Sequence, residues 1–344
     1  MSKGEFGFID FIKGHFEVPG GVIVPAGVKG IGDDCAVIPV NKESHISDAL
    51  KCDEELLFST DLLMEGVHFL REESFPEDIG WKAAAVNISD IAAMGGSPVA
   101  TFLSIALPKD AQGEWAERFI KGYAEISRQF NVPLLGGDTT SSLRDIAINV
   151  GIMGKCPSGK SLCREGARVG DTIFVTGPLG DSAGGLQVIL KGVERSTEEA
   201  TLIERSVEEA ALIERHKRPM PRIREGIALR ETGLVSSMMD ISDGIASDLR
   251  HILKASGVGA EVDLDRLPIS KELSRVCPKY GWNELKLATG GGEDFELLFT
   301  APEEIAAKVD FPIHPIGKII NGNSLRWLEN DIQIDFNIEG YKHF

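Results

Sequence analysis

The segment Leu-Leu-Phe-Ser-Thr-Asp at residues 56–61 is a short apolar run that ends in an aspartate. Val-Pro-Leu-Leu-Gly-Gly-Asp (132–138) and Val-Ser-Ser-Met-Met-Asp (235–240) repeat this pattern. Short apolar runs bounded by turn residues are typical of β-strands. The sequence therefore predicts three strands, each of which presents a carboxylate at its end.

Helical patterns separate these strands. Residues 81–94 place Ala, Val and Ile at helical spacing and stop at Gly95, which is a typical helix end. Residues 114–130 and 246–255 predict two further amphipathic helices. Strands that alternate with helices indicate an α/β or α+β architecture rather than a helical bundle or a β-sandwich.

The length of 344 residues favours two domains, because a domain commonly contains about 100–200 residues. Gly, Pro and Ser interrupt the pattern within 154–161, and Arg-Val-Gly-Asp-Thr-Ile-Phe-Val-Thr-Gly (168–177) begins a new strand. We predict an N-terminal α/β domain over residues 1–155 and a C-terminal α+β domain over residues 156–344.

The charge balance restricts the possible partners. The chain has 36 Lys and Arg against 53 Asp and Glu, a net charge of −17, so binding to nucleic acid through a basic patch is excluded. An acidic protein that handles phosphates needs divalent cations to bridge the two. No apolar run approaches the roughly 18 residues of a membrane-spanning helix. The five scattered cysteines and a start without signal-peptide features predict a cytoplasmic protein with free thiols.

The aspartates are the strongest functional signal. Besides the three strand ends, Gly-Ile-Gly-Asp-Asp (30–34) carries two carboxylates on a turn, and Asn87 and Asp90 share one helix face. Mg²⁺ prefers carboxylate and water oxygens together with substrate phosphates. Asp and Gly are also common in turns because of their local conformational preferences. For any single one of these positions, turn preference is a better explanation than metal binding. Five repeats of the pattern favour several Mg²⁺ ions around a polyphosphate.

Six segments, in this order, resemble the motifs of the thiamine-monophosphate kinase family, and the resemblance extends over nearly the whole chain. The family belongs to the aminoimidazole-ribonucleotide-synthetase-like superfamily, and membership implies its two-domain architecture, with an N-terminal domain that binds ATP and Mg²⁺ and dimerises through its sheet. The six segments lie at residues 30–38, 59–69, 85–95, 136–140, 240–249 and 291–300.

The resemblance also implies roles for individual residues. The implied Mg²⁺ ligands are Asp33, Asp34, Ser59, Thr60, Asp61, Asp90, Asp138, Asp240 and Asp243. The implied ATP contacts are Gly137, Asp138, Arg164 and Ser242. The implied contacts to thiamine phosphate are His68, Glu293 and an aromatic residue near the C-terminus, Phe336.

The implied activity is ATP-dependent phosphorylation of thiamine monophosphate to thiamine diphosphate, by direct, Mg²⁺-assisted in-line transfer in a homodimer. Phosphoryl transfer depends mostly on positioning and charge neutralisation. A phosphate-monoester acceptor, with a second pKa near ~6, is already anionic at neutral pH and needs no general base. The aspartates are therefore interpreted as metal ligands and not as acid–base catalysts.

Two alternatives stay open at this point. A sister ATP-dependent synthetase is disfavoured, because the selenophosphate synthetases carry a reactive residue near the N-terminus and the hydrogenase-maturation member ends in cysteine. This chain instead ends in Tyr-Lys-His-Phe (341–344). A non-catalytic module that binds a nucleotide or Mg²⁺ is disfavoured by the number of clustered carboxylates.

Two further patterns carry no chemistry in this interpretation. Residues 154–161 match the Walker A pattern, but the glycine-containing continuation indicates a hairpin loop rather than the start of a helix. Residues 196–205 and 206–215 are near-duplicates, and Ser196 with Glu199 forms a capping-box pattern. We interpret the duplication as a local extension of one solvated surface helix.

Overall fold

The computed structural model describes residues 33–39, 53–198 and 205–336. Its N-terminal part is a five-stranded sheet in the order β1-β2-β5-β3-β4, in which β3 and β4 are parallel and the other neighbours antiparallel. The strands are β1 (Ala36–Pro39), β2 (Glu54–Met64), β3 (Ser97–Leu107), β4 (Leu134–Ser141) and β5 (Ala147–Pro157).

Helices α1 (Pro76–Ala93) and α2 (Glu114–Phe130) pack together on one side of this sheet. Helix α1 begins with a proline in its first turn and two acidic side chains beside its N-terminal N–H groups, both of which favour a helix start. It starts five residues before the predicted helix, whereas α2 has the predicted bounds. Almost all of α1 is buried, because it also contacts the C-terminal part of the chain.

The C-terminal part contains a seven-stranded sheet in the order β12-β11-β8-β10-β6-β9-β7, with β8 and β11 parallel and the other neighbours antiparallel. Its strands are β6 (Thr172–Val175), β7 (Ser237–Asp240), β8 (Gly259–Asp263), β9 (Leu297–Ala301), β10 (His314–Ile320), β11 (Leu325–Glu329) and β12 (Ile332–Ile334). Mixed sheets with helices in both parts confirm the predicted fold class.

Six described helices accompany the second sheet. They are α3 (Asp181–Glu198), α4 (Val207–Lys217), α5 (Ile223–Thr232), α6 (Ile245–Ser256), α7 (Lys271–Tyr280) and α8 (Glu284–Gly290). The two sheets comprise residues 36–157 and 172–334, and the boundary at 155/156 stays a prediction. Within the described ranges, no helix is both long enough and apolar enough to cross a membrane.

The predicted positions of the aspartates within strands are partly wrong. Asp240 is the last residue of β7, as predicted, but Asp61 lies inside β2 and Asp138 lies inside β4. Both strands continue through the polar residues because each is paired along its length with a neighbour. Backbone pairing therefore extended these strands beyond their apolar segments.

The interpretation of the duplicated segment is also corrected. Ser196 lies inside α3 rather than before the first turn of a helix, and Glu199 lies outside the described residues. The capping box belongs to the second copy, where Ser206 and Glu209 cap α4 reciprocally. Leu212 of α4 is fully buried between α3 and α7, so this helix is a packed element and not a solvated extension.

The Walker-like segment does not begin a helix. Strand β5 ends at Pro157, and no helix follows before β6. The N–H groups of Gly159 and Ser161 donate to the carboxylate of Glu55, so these amides bind a side chain of the protein itself. The segment is a connection between the two sheets rather than the predicted hairpin, since β6 belongs to the second sheet.

Candidate functional site

A cavity of about 1650 Å³ receives side chains from both parts of the chain. Strand β2, helix α1 and the segment that follows β2 line it from the N-terminal part. Helix α3, the end of α4 and two loops line it from the C-terminal part. The two loops contain residues 240–243 and 290–295.

An acidic cluster, formed by Asp34, Asp90 and Asp240, occupies one end of this cavity. One carboxylate oxygen from each of the three lies within 4.8 Å of the others. Asp34 lies just before β1, Asp90 lies in α1 and Asp240 ends β7. The fold thus brings together three carboxylates that lie far apart in the sequence.

Hydroxyl groups orient two of these carboxylates. Ser89 of α1 donates a hydrogen bond of 2.5 Å to Asp240 Oδ2, and both residues are buried. Ser59 of β2 donates to Asp90 Oδ2. Since a hydroxyl adds no charge, these contacts hold the side chains in place without neutralising them.

Asp61 lies beside the acidic cluster. Its backbone N–H donates to Asn87 Oδ1 at 3.1 Å, which joins β2 to α1. Burial, followed by the charge of Asp34, raises the pKa of Asp61 to about 6. Asn87 was predicted only to share a face with Asp90, and its observed role is to fix the backbone of Asp61.

Burial, followed by mutual repulsion, disfavours ionisation of the carboxylates at this end of the cavity. Burial and then the charge of Asp34 raise the pKa of Asp240 to about 7. Burial and the neighbouring charges of Asp61, Asp240 and Asp34 raise the pKa of Asp90 well above its ordinary value. Burial also raises the pKa of Asp34, although Arg164 opposes the shift. Carboxylates that disfavour one another's ionisation in this way favour a bound cation.

The donor set fits a hard divalent cation. Asp34 Oδ2 is buried and has no hydrogen-bond partner among the described residues, so one acceptor of the acidic cluster is left without a proton donor. Oxygen ligands from several carboxylates are those that Mg²⁺ prefers. Asp34, Asp90, Asp240 and the adjacent Asp61 would hold such an ion.

The other predicted nucleotide and metal residues around this end also line the cavity. They are Asp33, Ser59, Thr60, Arg164, Ser242 and Asp243. Arg164 contacts both acidic residues of the first motif: its backbone N–H donates to Asp33 and its guanidinium to Asp34. The N–H of Asp243 donates to buried Asp248 in the first turn of α6, which holds the 241–244 loop against the helix.

The predicted substrate residues His68 and Glu293 also line the cavity. His68 Nδ1 accepts a hydrogen bond from the N–H of Met64 at 2.9 Å. Lys82 of α1 and His216 at the end of α4 both contact the Glu293 carboxylate. Sequence reasoning missed Lys82 and His216, although a single lysine within the apolar 81–94 pattern is a signal that could have found the first.

The structure does not bring three predicted site residues to the cavity. Gly137 and Asp138 lie on the exposed edge strand β4, outside the cavity lining. Phe336 packs edge-on against Trp327 of β11, with ring centroids 5.9 Å apart. That contact places Phe336 against the core of the C-terminal sheet, so its predicted role in stacking on substrate has no support in this geometry.

Comparison with known proteins follows the same division of the chain. The family model for the AIR synthase related protein, N-terminal domain, matches residues 32–156, and the model for the C-terminal domain matches residues 168–326. Thiamine-monophosphate kinase of Salmonella typhimurium is 38% identical over 323 residues, which cover 92% of this chain and 91% of that protein. The enzyme of the same name from Bacillus subtilis is 37% identical over 328 residues, with coverages of 92% and 93%.

Solved structures agree with the sequence matches. One described as AaThiL complexed with AMPPCP and TMP superimposes with a TM-score of 0.83 at 36% identity, covering 99% of this chain and 97% of that one. That protein therefore binds an ATP analogue and TMP in the same fold.

Proposed function

We propose that this chain, which belongs to the thiamine-monophosphate kinases of the AIR-synthase-related family, transfers the terminal phosphoryl group of ATP directly to the phosphate of thiamine monophosphate. The products are ADP and thiamine diphosphate. The observation that carries the proposal is one cavity lined both by the acidic cluster and by His68 and Glu293. This arrangement matches a reaction that joins two anionic phosphates, because the carboxylates can hold cations and the second set of residues can bind the acceptor.

The acidic cluster and Asp61 would hold Mg²⁺, with Asp33, Ser59, Thr60 and Asp243 at the same end. Bound Mg²⁺ neutralises the negative charge of the two phosphates and of the transition state. Asp34 is the better inner ligand of the first motif. The reason is that Asp33 accepts the N–H of Arg164, whereas Asp34 keeps one oxygen without a partner.

The chain supplies no general base in this mechanism. The acceptor phosphate is already ionised at neutral pH, with a second pKa near ~6, so the residues bind and orient it rather than remove a proton. His68 fits that role, because its Nδ1 lone pair accepts the Met64 N–H and the neutral ring then carries its proton on Nε2. Such a ring donates a hydrogen bond to a ligand but has no free lone pair for a base.

A homodimer explains the position of Asp138. Cross-strand pairing places Asp138, Ser104 and Asn149 on one face of the first sheet, and Asn149 donates to Thr60 Oγ1 on that face. This face, away from α1, also exposes Leu62 and Phe102, at 53% and 44% of their full area. We propose that a second copy covers this face, and that Gly137 and Asp138 contact the nucleotide and metal at the cavity of that copy.

The compartment proposed for the reaction is the cytoplasm. None of the four described cysteines forms a disulfide; they are Cys35, Cys156, Cys163 and Cys277. Reduced cysteines suit a reducing compartment.

The decisive experiment uses purified chain with ATP and Mg²⁺ and compares thiamine monophosphate, thiamine and no acceptor. We expect equimolar ADP and thiamine diphosphate with the monophosphate, and no acceptor-dependent ADP with thiamine. ADP formation without thiamine diphosphate would contradict the proposal, and so would equal turnover of thiamine.

A further inference from the structure

Glu293 lies in a strained, glycine-rich loop at the wall of the cavity. Its φ of 65° is in the left-handed region, which a residue with a side chain adopts only at a cost. The backbone is held there by a hydrogen bond of 2.8 Å from the Glu293 N–H to Ser242 O. At Gly292, a Cβ atom would approach this same oxygen to 2.3 Å, so the two loops pack too closely for any larger residue. The loop thus presents the Glu293 side chain in one fixed place.

Lys82 reaches this side chain from the other part of the molecule, across 211 sequence positions. Its Nζ lies 2.8 Å from each of the two Glu293 carboxylate oxygens. Lys82 itself is only 3% exposed, on a helix that is otherwise apolar at this point. An ammonium group is rarely buried so deeply unless it is paired, so the contact with Glu293 accounts for its presence in α1.

His216 is the second partner of the carboxylate. Its Nδ1 lies 3.3 Å from Glu293 Oε2 and 2.9 Å from Ser182 Oγ at the start of α3. Burial, and then the charge of Lys82, lower the pKa of His216 to about 3. The imidazole is therefore neutral, and it restricts the position of the carboxylate without adding a second positive charge.

The combined effect on Glu293 is a carboxylate that is both fixed and ionised. Burial alone would raise the pKa of Glu293, but the positive charge of Lys82 opposes burial, and the pKa lies below its ordinary value. A carboxylate has about four acceptor positions. Lys82 and His216 do not use all of them, and the Glu293 side chain remains 28% exposed at the wall of the cavity.

We propose that Lys82 and His216 are positioning residues, which hold Glu293 so that it accepts a hydrogen bond from an N–H group of the acceptor substrate. Because the charge of Lys82 already balances that of Glu293, the group that fits is a neutral N–H donor rather than a second cation. In thiamine monophosphate this donor is the amino group of the pyrimidine ring, and not the positively charged thiazolium. The identity of the donor rests on the proposed function, whereas the positioning roles rest on the contacts.

The test is a double-mutant cycle on Lys82→Met and Glu293→Gln, with KM for thiamine monophosphate and KM for ATP measured separately. Each single variant should raise KM for thiamine monophosphate about tenfold or more, the effect of losing a hydrogen bond to a charged group. KM for ATP should stay within about twofold, because neither side chain is among the predicted ATP contacts. Since Lys82 acts through Glu293, the double variant should have the KM of Glu293→Gln alone.

A matched control and a rescue complete the design. Lys155 forms an ion pair with Glu54 in the N-terminal part, away from the cavity. Lys155→Met removes this pair and should leave both KM values unchanged. Lys82→Arg should restore most of the affinity, since it keeps the charge. If Lys82→Met does not fold, as judged by its melting temperature, His216→Asn replaces it in the cycle, with an expected rise of a few-fold in the same KM.

The outcomes separate the two proposals. Wild-type protein that does not use thiamine monophosphate contradicts the proposed function itself. Wild-type turnover with additive effects in the double variant would overturn the positioning roles, and so would equal losses in the two KM values. Unchanged KM for thiamine monophosphate in both single variants would overturn them as well.

Discussion

Arg164 places its guanidinium 2.5 Å from Asp34 Oδ1, so a cation of the protein itself neutralises one side of the acidic cluster. The other oxygen of Asp34 has no hydrogen-bond partner in the described part of the chain. Asp34 also contributes a carboxylate oxygen to the acidic cluster with Asp90 and Asp240. Arg164 thus offsets part of the repulsion within the acidic cluster and leaves one acceptor oxygen of Asp34 for the proposed cation.

The first prediction concerns charge in the cavity. Asp61→Asn should lower turnover at least ~100-fold, because the lost carboxylate weakens charge neutralisation in the transition state. The melting temperature of the metal-free variant should not fall, since the substitution removes one of several mutually repelling charges. Steady-state kinetics at saturating Mg²⁺ and a thermal melt in EDTA provide the measurements. Near-normal turnover would show that Asp61 holds no catalytic metal.

The second prediction is a pH dependence of stability. Burial, with the charge of Asp34, raises the pKa of Asp61 to about 6 and that of Asp240 to about 7, whereas in the unfolded chain both lie near ~4. The native state therefore binds more protons between these values, and the free energy of unfolding falls as pH rises from about 4 to 7. Mg²⁺ should thus raise the melting temperature more at about pH 8 than at about pH 5.

Thermal melts in EDTA and in Mg²⁺ across this pH range test that expectation. Asp240→Asn is the control variant, and it should flatten the pH dependence of the metal-free protein. Burial also raises the pKa of Asp294 to about 7. This residue lies outside the acidic cluster, so Mg²⁺ should not change its contribution to the pH dependence of the melting temperature. A metal-free melting temperature that rises with pH over the same interval would refute the prediction.

The third prediction tests whether Asp138 acts in a second copy. Asp138→Asn and Asp90→Asn should each be nearly inactive, because each lacks one proposed metal ligand. Mixed after reversible dissociation, they should regain a substantial fraction of wild-type activity, since one site of a mixed dimer then has both native carboxylates. The measurement is activity against mixing ratio, with each variant mixed with itself as the control. Absence of recovery in a verified mixed dimer would show that Asp138 does not act across the interface.

The fourth prediction concerns the acceptor and His68. With thiamine monophosphate, the rate should rise as the acceptor loses its second proton near pH ~6 and then level off. The pH–rate profile should show no further change caused by ionisation of a histidine of the enzyme. His68→Asn should raise KM for thiamine monophosphate more than it lowers kcat, because its proposed role is binding. A pH–rate profile of both proteins tests this. Loss of kcat at unchanged KM would instead make His68 the candidate base.

Local patterns in the sequence are sufficient to predict several parts of this structure. Helix α2 has the predicted bounds, since an amphipathic repeat of 3.6 residues between a glycine and an asparagine leaves little choice of register. The sequence singles out the carboxylates at 61, 138 and 240 because apolar runs seldom lead into acidic residues so regularly. These patterns extend over only a few residues, so they can be recognised without knowledge of the tertiary contacts.

Tertiary structure alone decided which of these residues meet. Asp34, Asp90 and Asp240 come together because α1 packs between the two sheets, and Asp138 lies apart because β4 is an edge strand. The pairing of Lys82 with Glu293 depends on the same packing. The physical reason is that a buried charge is stable only beside a partner, and that partner is chosen by strand order and helix packing over hundreds of residues rather than by neighbours in the sequence.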